Sequence, residues 1–524
     1  MEKKQNTLRN AFTVGSFTAM SRVLGLVREM LQSRLIGAGV AQSAFTLAFA
    51  LPNTMRKLFG EGALTAAFVP VFKREVERGA VESARRLAKS VVTTVMLVLF
   101  AVCALAAGSL GLWSALADLG PRAALTVSLV TTLLPYMLFI CGAAFGMGVL
   151  NSLGRFKASS VMPVFLNIVW IAALASLAFF PSMPPEDRVK VVAWAILAAG
   201  ACQAGFMFWR MAKAGYPPGP SLSGFRDGAT RQVWRNLGVA AFGAGAVQVN
   251  QMLDQFLAQA ASPWAAGVIG YAERLMDLPL GIVAVAFGTV LLPAFAGHFA
   301  KGDADGAKEA LASSLNSLLF LMLPAAAGLA MVSAETTDAI YGGGRFDAVA
   351  TLRVSRALRV YAAGLAFFGV QKVLAPWFHA QNDMKTPLRV SLCTVAVNAA
   401  LNVAAVVALP VEWRHVGLAA STVVCSAAGC AMLFAAARRR NGSLGLSRCA
   451  APLAKTLAGC AAMAAAIFAA RHFAAPLRTA LPERIGAAAH LAVLVAAGGA
   501  AYGAFAFVFA RDLLGRRFRR AGRR

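Results

Sequence analysis

MAKAGYPPGPSLSGFRDGATR, residues 211–231, is the longest hydrophilic stretch in this chain of 524 residues, and it is too short and too rich in Pro and Gly to fold by itself. Long apolar runs flank it on both sides. Hydrophobic residues make up 59% of the chain and charged residues only 14%. A soluble domain carries about 45–50% apolar and about 25% charged residues, so this chain has too little charge to cover itself in water. Lipid is its main solvent. The segment at 211–231 therefore reads as a linker between two membrane lobes.

A helix needs about 20 mostly apolar residues to cross the hydrocarbon, and lipid offers no partner to an open backbone, so the spans are helices. Fourteen candidates fall near residues 8–36, 41–70, 88–114, 122–151, 158–180, 189–212, 232–260, 264–298, 308–333, 352–380, 387–409, 415–437, 450–471 and 485–511. Of the 50 Lys and Arg, 31 fall in the alternate segments 1–9, 73–89, 152–157, 210–235, 299–308, 381–389, 438–448 and 511–524. The positive-inside rule places those segments, and hence both termini, in the cytoplasm. Most of the net charge of +27 is thereby explained without nucleic acid. The tail RRFRRAGRR reads either as seated on anionic lipid headgroups or as plainly solvated. Arg22 and Arg28 interrupt the first apolar stretch and no small-x-small cleavage site follows, which favours a retained helix over a signal peptide. The eight cysteines lie in or beside apolar segments, without a CxxC pair or a histidine at ligand spacing, which argues against structural zinc or a disulfide framework.

The two halves resemble each other. RNAFTVGSFTAM from Arg9 matches RNLGVAAFGAGA from Arg235. Leu51-Pro52 and Val69-Pro70-Val71-Phe72 correspond to Leu278-Pro279 and Leu292-Pro293-Ala294-Phe295, and RFK ending at Lys157 corresponds to DMK ending at Lys385. The organisation is six helices, six related helices and two more, or 1–215, 216–440 and 441–524. Such duplication, with paired Pro-interrupted helices, marks transporters whose substrate site lies between the halves.

Ionisable groups within spans cost about 2.5–3.5 kcal/mol each at the bilayer centre, so each needs water, protein or ligand to face. The first span holds Arg22, Arg28, Glu29 and Arg34, and the second Arg56, Lys57 and Glu61. The seventh holds Asp254, the eighth Glu273, Arg274 and Asp277, and the tenth Lys372. Converging guanidinium groups make a site for phosphate or pyrophosphate, because each donates bidentate hydrogen bonds and keeps its charge. The substrate is therefore read as anionic. Arg22 and Glu29 are seven apart and share a stripe, which leaves an internal ion pair as the competing reading. Arg274 and Asp277, three apart, form a salt bridge or a ligand site and gate. Asp254, Asn398 and Asn402 offer oxygens for a monovalent cation, against hydrogen bonding between helices as the other reading. The five histidines make no catalytic constellation and outer-loop carboxylates are scattered, so a transporter is favoured over an enzyme.

SRVLGLVRE (21–29), LPNTMRKLFGEGALTAAFVPVF (51–72), AERLMDLPLGIVAVAFGTVLLP (272–293) and KVLAPWFHAQNDMKTP (372–387) resemble the MurJ (MviN) family, the lipid II flippases of bacterial peptidoglycan synthesis. The resemblance runs through the whole chain in order. It implies an all-α polytopic membrane protein of the multidrug/oligosaccharidyl-lipid/polysaccharide exporter superfamily. In that fold fourteen transmembrane helices form two six-helix lobes in a V around a central cationic cavity, and two C-terminal helices shape a groove for the polyprenyl tail.

The resemblance also assigns roles. Arg22, Arg28, Arg56 and Arg274 match cavity arginines that hold the pyrophosphate, with Ser21, Asn53 and Glu61 beside them. Glu29 and Asp277 are ion-pair or gating carboxylates. Asp254, Asn398, Asn402 and Thr422 fall where some members bind Na+. No cofactor is implied, and the coupling is to Na+ or to the membrane potential. Partners are lipid II, membrane lipids and the cell-wall synthesis machinery, in the bacterial inner membrane. Three positions depart from the pattern: Ser43 replaces an acidic residue, Asp277 stands where Glu is common, and Asn402 replaces a carboxylate. The last weakens sodium and favours the membrane potential. The rival readings are a flippase for another polyprenyl-linked glycan and a polyprenyl-using membrane enzyme.

Overall fold

The computed structural model describes residues 2–58, 63–221, 228–288 and 290–510, and among these the chain is helical, with no strand. The first half contains α1 (Glu2–Ile36), α2 (Val40–Arg56), α3 (Ala63–Glu77), α4 (Val81–Leu116), α5 (Pro121–Ser152), α6 (Phe156–Ser176) and α7 (Pro185–Lys213). There follow α8 (Gly228–Ala261), α9 (Ala265–Gly288), α10 (Leu291–Ala300), α11 (Ala304–Met331), α12 (Ser333–Tyr341), α13 (Ala348–His379), α14 (Lys385–Ala408) and α15 (Val411–Asn441). The chain then runs through α16 (Ala450–Ala474), α17 (Leu477–Ala480) and α18 (Glu483–Phe509).

Among the described residues, ten helices are long and apolar enough to cross a membrane: α4–α7, α11, α13–α16 and α18. α1, α2, α8 and α9 fall short of that mark. They are the first two helices of each half, and they carry Arg22, Arg28, Glu29, Arg56, Asp254, Arg274 and Asp277. The sequence reads 41–70 and 264–298 as one span each, whereas helices α2 and α3 cover the first and α9 and α10 the second. For the second a reason is visible: Pro293 stands in the first turn of α10, where its missing amide forfeits no helical bond.

The repeat is carried by the backbone. α5 and α13 begin 227 residues apart at Pro121 and Ala348, and α7 and α15 begin 226 apart at Pro185 and Val411. In the first half α5 packs against α2 and α7, and in the second α13 packs against α9 and α15. Small residues let these backbones approach, as is usual where lipid removes the hydrophobic drive between helices. A Cβ on Gly200 of α7 would meet the Tyr136 ring of α5 at 2.4 Å, and one on Gly364 of α13 would meet Val423 of α15 at 2.6 Å.

A buried arginine, Arg188, has a half-buried counterpart at the same offset. Arg188, only 4% exposed, donates from Nε to the Met183 carbonyl, from Nη1 to Leu35 at the end of α1, and from Nη2 to Phe180 and Pro181, all at 2.9 Å. Arg414, 226 residues on, donates from Nε to Leu409 at 3.1 Å and from Nη1 to Ala261, at the end of α8, at 3.2 Å. Each cation sits where helix C-termini present carbonyl oxygens. Neither role is evident from composition, but the shared offset connects them.

The chain divides into two compact units, Met1–Gln259 and Ala260–Arg524. This boundary lies at the end of α8, one helix beyond the lobe boundary drawn from the repeat. Three polar contacts join α8 to the first unit: Ser43 donates to the Gln259 side chain at 2.8 Å, Lys57 to Gln251 at 3.0 Å, and Arg122 to the Gln259 carbonyl. In the second unit α16 and α18 pack together and onto α11, with Tyr502 donating to the Phe320 carbonyl at 2.7 Å. Arg471–Glu335 at 2.7 Å and Arg478–Asp338 at 2.6 Å tie α16 and α17 to α12.

Candidate functional site

In the first unit, α1, α2 and α6 bring together a polar cluster within an apolar bundle. Arg28 stands at its centre, with a side chain 12% exposed. Its Nη2 donates to Glu29 at 2.5 Å and its Nη1 to Asn167 Oδ1 at 2.9 Å, while the guanidinium carbon lies 4.3 Å from the centre of the Trp170 ring. Asn167 Nδ2 in turn donates to the Ser21 carbonyl at 3.0 Å and hydroxyl at 3.3 Å. Glu29 is thus paired with its neighbour Arg28, where helical spacing alone points to Arg22 as its partner. Arg22 itself is exposed.

On α2, Arg56 donates from Nε to Asn53 at 3.3 Å, one turn earlier on the same helix. The Tyr136 hydroxyl on α5 is buried and has no hydrogen-bond partner among the described residues. Arg28 is thus grouped with Ser21 and Glu29, and Arg56 with Asn53, all in the first unit. Glu61 lies outside the described residues.

In the second unit, Arg274 and Asp277 are both exposed on α9, and Tyr361 of α13 donates to Glu273 at 3.5 Å. Asn398 and Asn402, 2% and 1% exposed, bond to each other on α14, the Asn402 amide donating to Asn398 Oδ1 at 3.0 Å. Thr422 on the adjacent α15 donates to the Leu418 carbonyl at 3.2 Å. Asp254, in the first unit, accepts from Asn250 at 3.2 Å. Among the described residues, no group of three or more His, Cys, Asp or Glu side chains is placed to hold a metal ion.

Outside the spans, two acids shape corners of the second unit. The Gly306 amide, followed by His298, holds the Asp303 carboxyl below its ordinary value at the start of α11. The Thr386 hydroxyl and amide do the same for Asp383 between α13 and α14, with Arg440 adding its charge at 2.7 Å.

Sequence reasoning passes over Asn167 and Trp170. Their signal is present nonetheless: Asn167 is a lone amide in the apolar run VMPVFLNIVWIAAL, and Trp170 follows it by three residues on the same helix face.

A bundle of apolar helices built as a repeat, with arginines on its charged helices, defines the class of a membrane transporter. Solved structures share this fold. One titled "Lipid II flippase MurJ, inward closed conformation" aligns with a TM-score of 0.76 at 20% identity, covering 96% of this chain and 99% of that one. An inward-facing MATE multidrug transporter of the MOP superfamily aligns at 0.63 and 15% identity, covering 83% and 98%. The family model for the lipid II flippase MurJ matches residues 32–480, and the chain belongs to that family. The chain is 34% identical over 511 residues to a probable lipid II flippase MurJ of Rhizobium meliloti, covering 94% of this chain and 92% of that protein. It is 30% identical over 444 residues to the lipid II flippase MurJ of Burkholderia cenocepacia, covering 83% and 84%.

Proposed function

We propose that this chain carries lipid II from the inner to the outer leaflet of the bacterial inner membrane by alternating access, with the pyrophosphate meeting Arg22, Arg28, Arg56 and Arg274. Family membership makes it a lipid II flippase, a transporter and not an enzyme, acting in peptidoglycan synthesis. The observation that carries the pyrophosphate reading is Arg28: a guanidinium held in place by Asn167, Glu29 and Trp170 inside a bundle of apolar helices. Such a cation is preorganised for a diphosphate and binds it as a fork rather than as a point charge.

In this reading fourteen helices span the membrane as two six-helix lobes in a V, and both termini are cytoplasmic, as the basic segments require. The lobes follow the repeat, 1–215 and 216–440, with α8 the counterpart of α1. The segment 441–524 supplies the groove for the polyprenyl tail. Ser21, Asn53 and Glu61 line the phosphate site, and Glu29 competes with the diphosphate for Arg28. That competition lets the substrate leave, because a ligand equally favoured in both states shifts neither. Asp277 serves Arg274 in the same way. Asn402 donates its amide to Asn398, Asp254 takes an amide from Asn250, and the Thr422 hydroxyl bonds its own helix. The amide at 402, in place of a carboxylate, supports coupling to the membrane potential over coupling to Na+. The cell-wall synthesis machinery supplies and consumes the substrate.

The test is reconstitution of the purified chain in liposomes carrying lipid II, with transbilayer exposure of the headgroup as the readout. Movement of lipid II, and not of another polyprenyl-linked glycan, is expected. Equal movement of both would contradict the assignment.

A further inference from the structure

We propose that Trp170 is a positioning residue for substrate capture, acting through Arg28; this rests on the reading that Arg28 meets the pyrophosphate. A guanidinium has five N–H groups and a planar face. Asn167 and Glu29 take one N–H each and fix its rotation, and the indole beneath it at 4.3 Å fixes its plane. Three N–H groups remain, among them a buried Nε without a partner in the described residues. The remaining hydrogen on each Nη is the donor left for a diphosphate.

The indole is itself held. Phe45 and Phe49 of α2 meet it edge-on, with centroids at 5.6 and 5.3 Å. Its Nε1, which can only donate, bonds Gln32 of α1 at 3.0 Å. Gln32 then donates to Gln42 of α2 at 2.9 Å, and Gln42 to Thr46 at 3.2 Å. Trp170, Gln32 and Gln42 are at most 6% exposed. A buried indole N–H calls for an acceptor in any role, but here the acceptor belongs to a relay of amides across three helices, and burying amides in a lipid-facing bundle is costly unless every bond is made. The chain of donors runs across α6, α1 and α2 and ends at the ring that lies under Arg28. The geometry assigns Trp170 to orientation of the cation as well as to packing.

The experiment measures lipid II affinity of the full-length chain in nanodiscs for Trp170→Leu and Trp170→Phe, each with and without Arg28→Ala, beside thermal unfolding of every variant. Trp170→Leu is expected to weaken binding about tenfold, and Trp170→Phe, which keeps an aromatic face, about threefold. In the Arg28→Ala background neither change should weaken binding further, because the residue they position is gone. An equal loss in both backgrounds would overturn the proposal and leave Trp170 as packing alone. Full affinity in Trp170→Leu while Arg28→Ala binds poorly would also overturn it. Unchanged affinity in Arg28→Ala would instead remove the arginine reading on which the proposal stands. Should Trp170→Leu fail to fold, the Trp170→Phe pair and Gln32→Met, which cuts the tether and leaves the ring in place, give the same comparison.

Discussion

Replacing Arg188 by Met is expected to destabilise the first unit by about 3 kcal/mol. The figure follows from its four hydrogen bonds, all at 2.9 Å and all to backbone carbonyls. A bond from a charged donor is worth roughly 1.5–3 kcal/mol net, but two terms reduce the sum. Desolvation of the guanidinium is recovered when it is removed, and the carbonyls of Phe180 and Pro181, in an exposed turn, can rehydrate. Leu35, at the end of α1, is less able to do so. The counterpart Arg414 makes two longer bonds, at 3.1 and 3.2 Å, and Arg414→Met should cost only about 1 kcal/mol. Reversible denaturant unfolding of the purified protein in one detergent, followed by tryptophan fluorescence, compares the two. Arg188→Lys should recover less than half of the loss, because an ammonium cannot reach carbonyls on both α1 and the 180–183 turn. Equal effects at the two positions, or full recovery by Lys, would refute the carbonyl-clamp reasoning.

Gly200→Ala should destabilise the α5–α7 contact by about 1–3 kcal/mol, since the new methyl lands 2.4 Å from the Tyr136 ring; a melting temperature within error of the parent would contradict this. Asp383 has a depressed carboxyl pKa, so its contribution is complete above the unfolded value near 3.8 and is lost as pH falls through the lower folded value. Asp383→Asn should therefore melt below the parent at pH 7 and converge with it at strongly acidic pH, and a gap that persists in acid would rule out the ionised side chain as the cause. Exchanging Na+ for K+ should leave lipid II movement in liposomes unchanged while collapse of the membrane potential slows it, and a sodium requirement would restore the cation site at Asp254, Asn398, Asn402 and Thr422.

Apolar length made the helices legible, and proline spacing made the repeat legible, because both are properties of local sequence. The second and eighth spans were less so: Pro52 and Pro279 announce irregularity, but the described helices run past them, α2 to Arg56 and α9 to Gly288. At the site, Arg28 is conspicuous as a charge in an apolar run, whereas its neighbours come from a helix about 140 residues away. Helical spacing pairs Glu29 with Arg22, yet an extended arginine can fold back onto the adjacent carboxylate, and there it does. Asn167, Trp170 and Arg188 matter through contacts between helices, and no single-helix pattern contains those.

The most direct test of the account is complementation of a strain depleted of its own lipid II flippase, with periplasmic exposure of lipid II scored at matched expression for the parent, Arg28→Ala and Arg274→Ala. The parent should restore growth and exposure, and both variants should lose them. Rescue by both variants would contradict the arginine capture of the pyrophosphate.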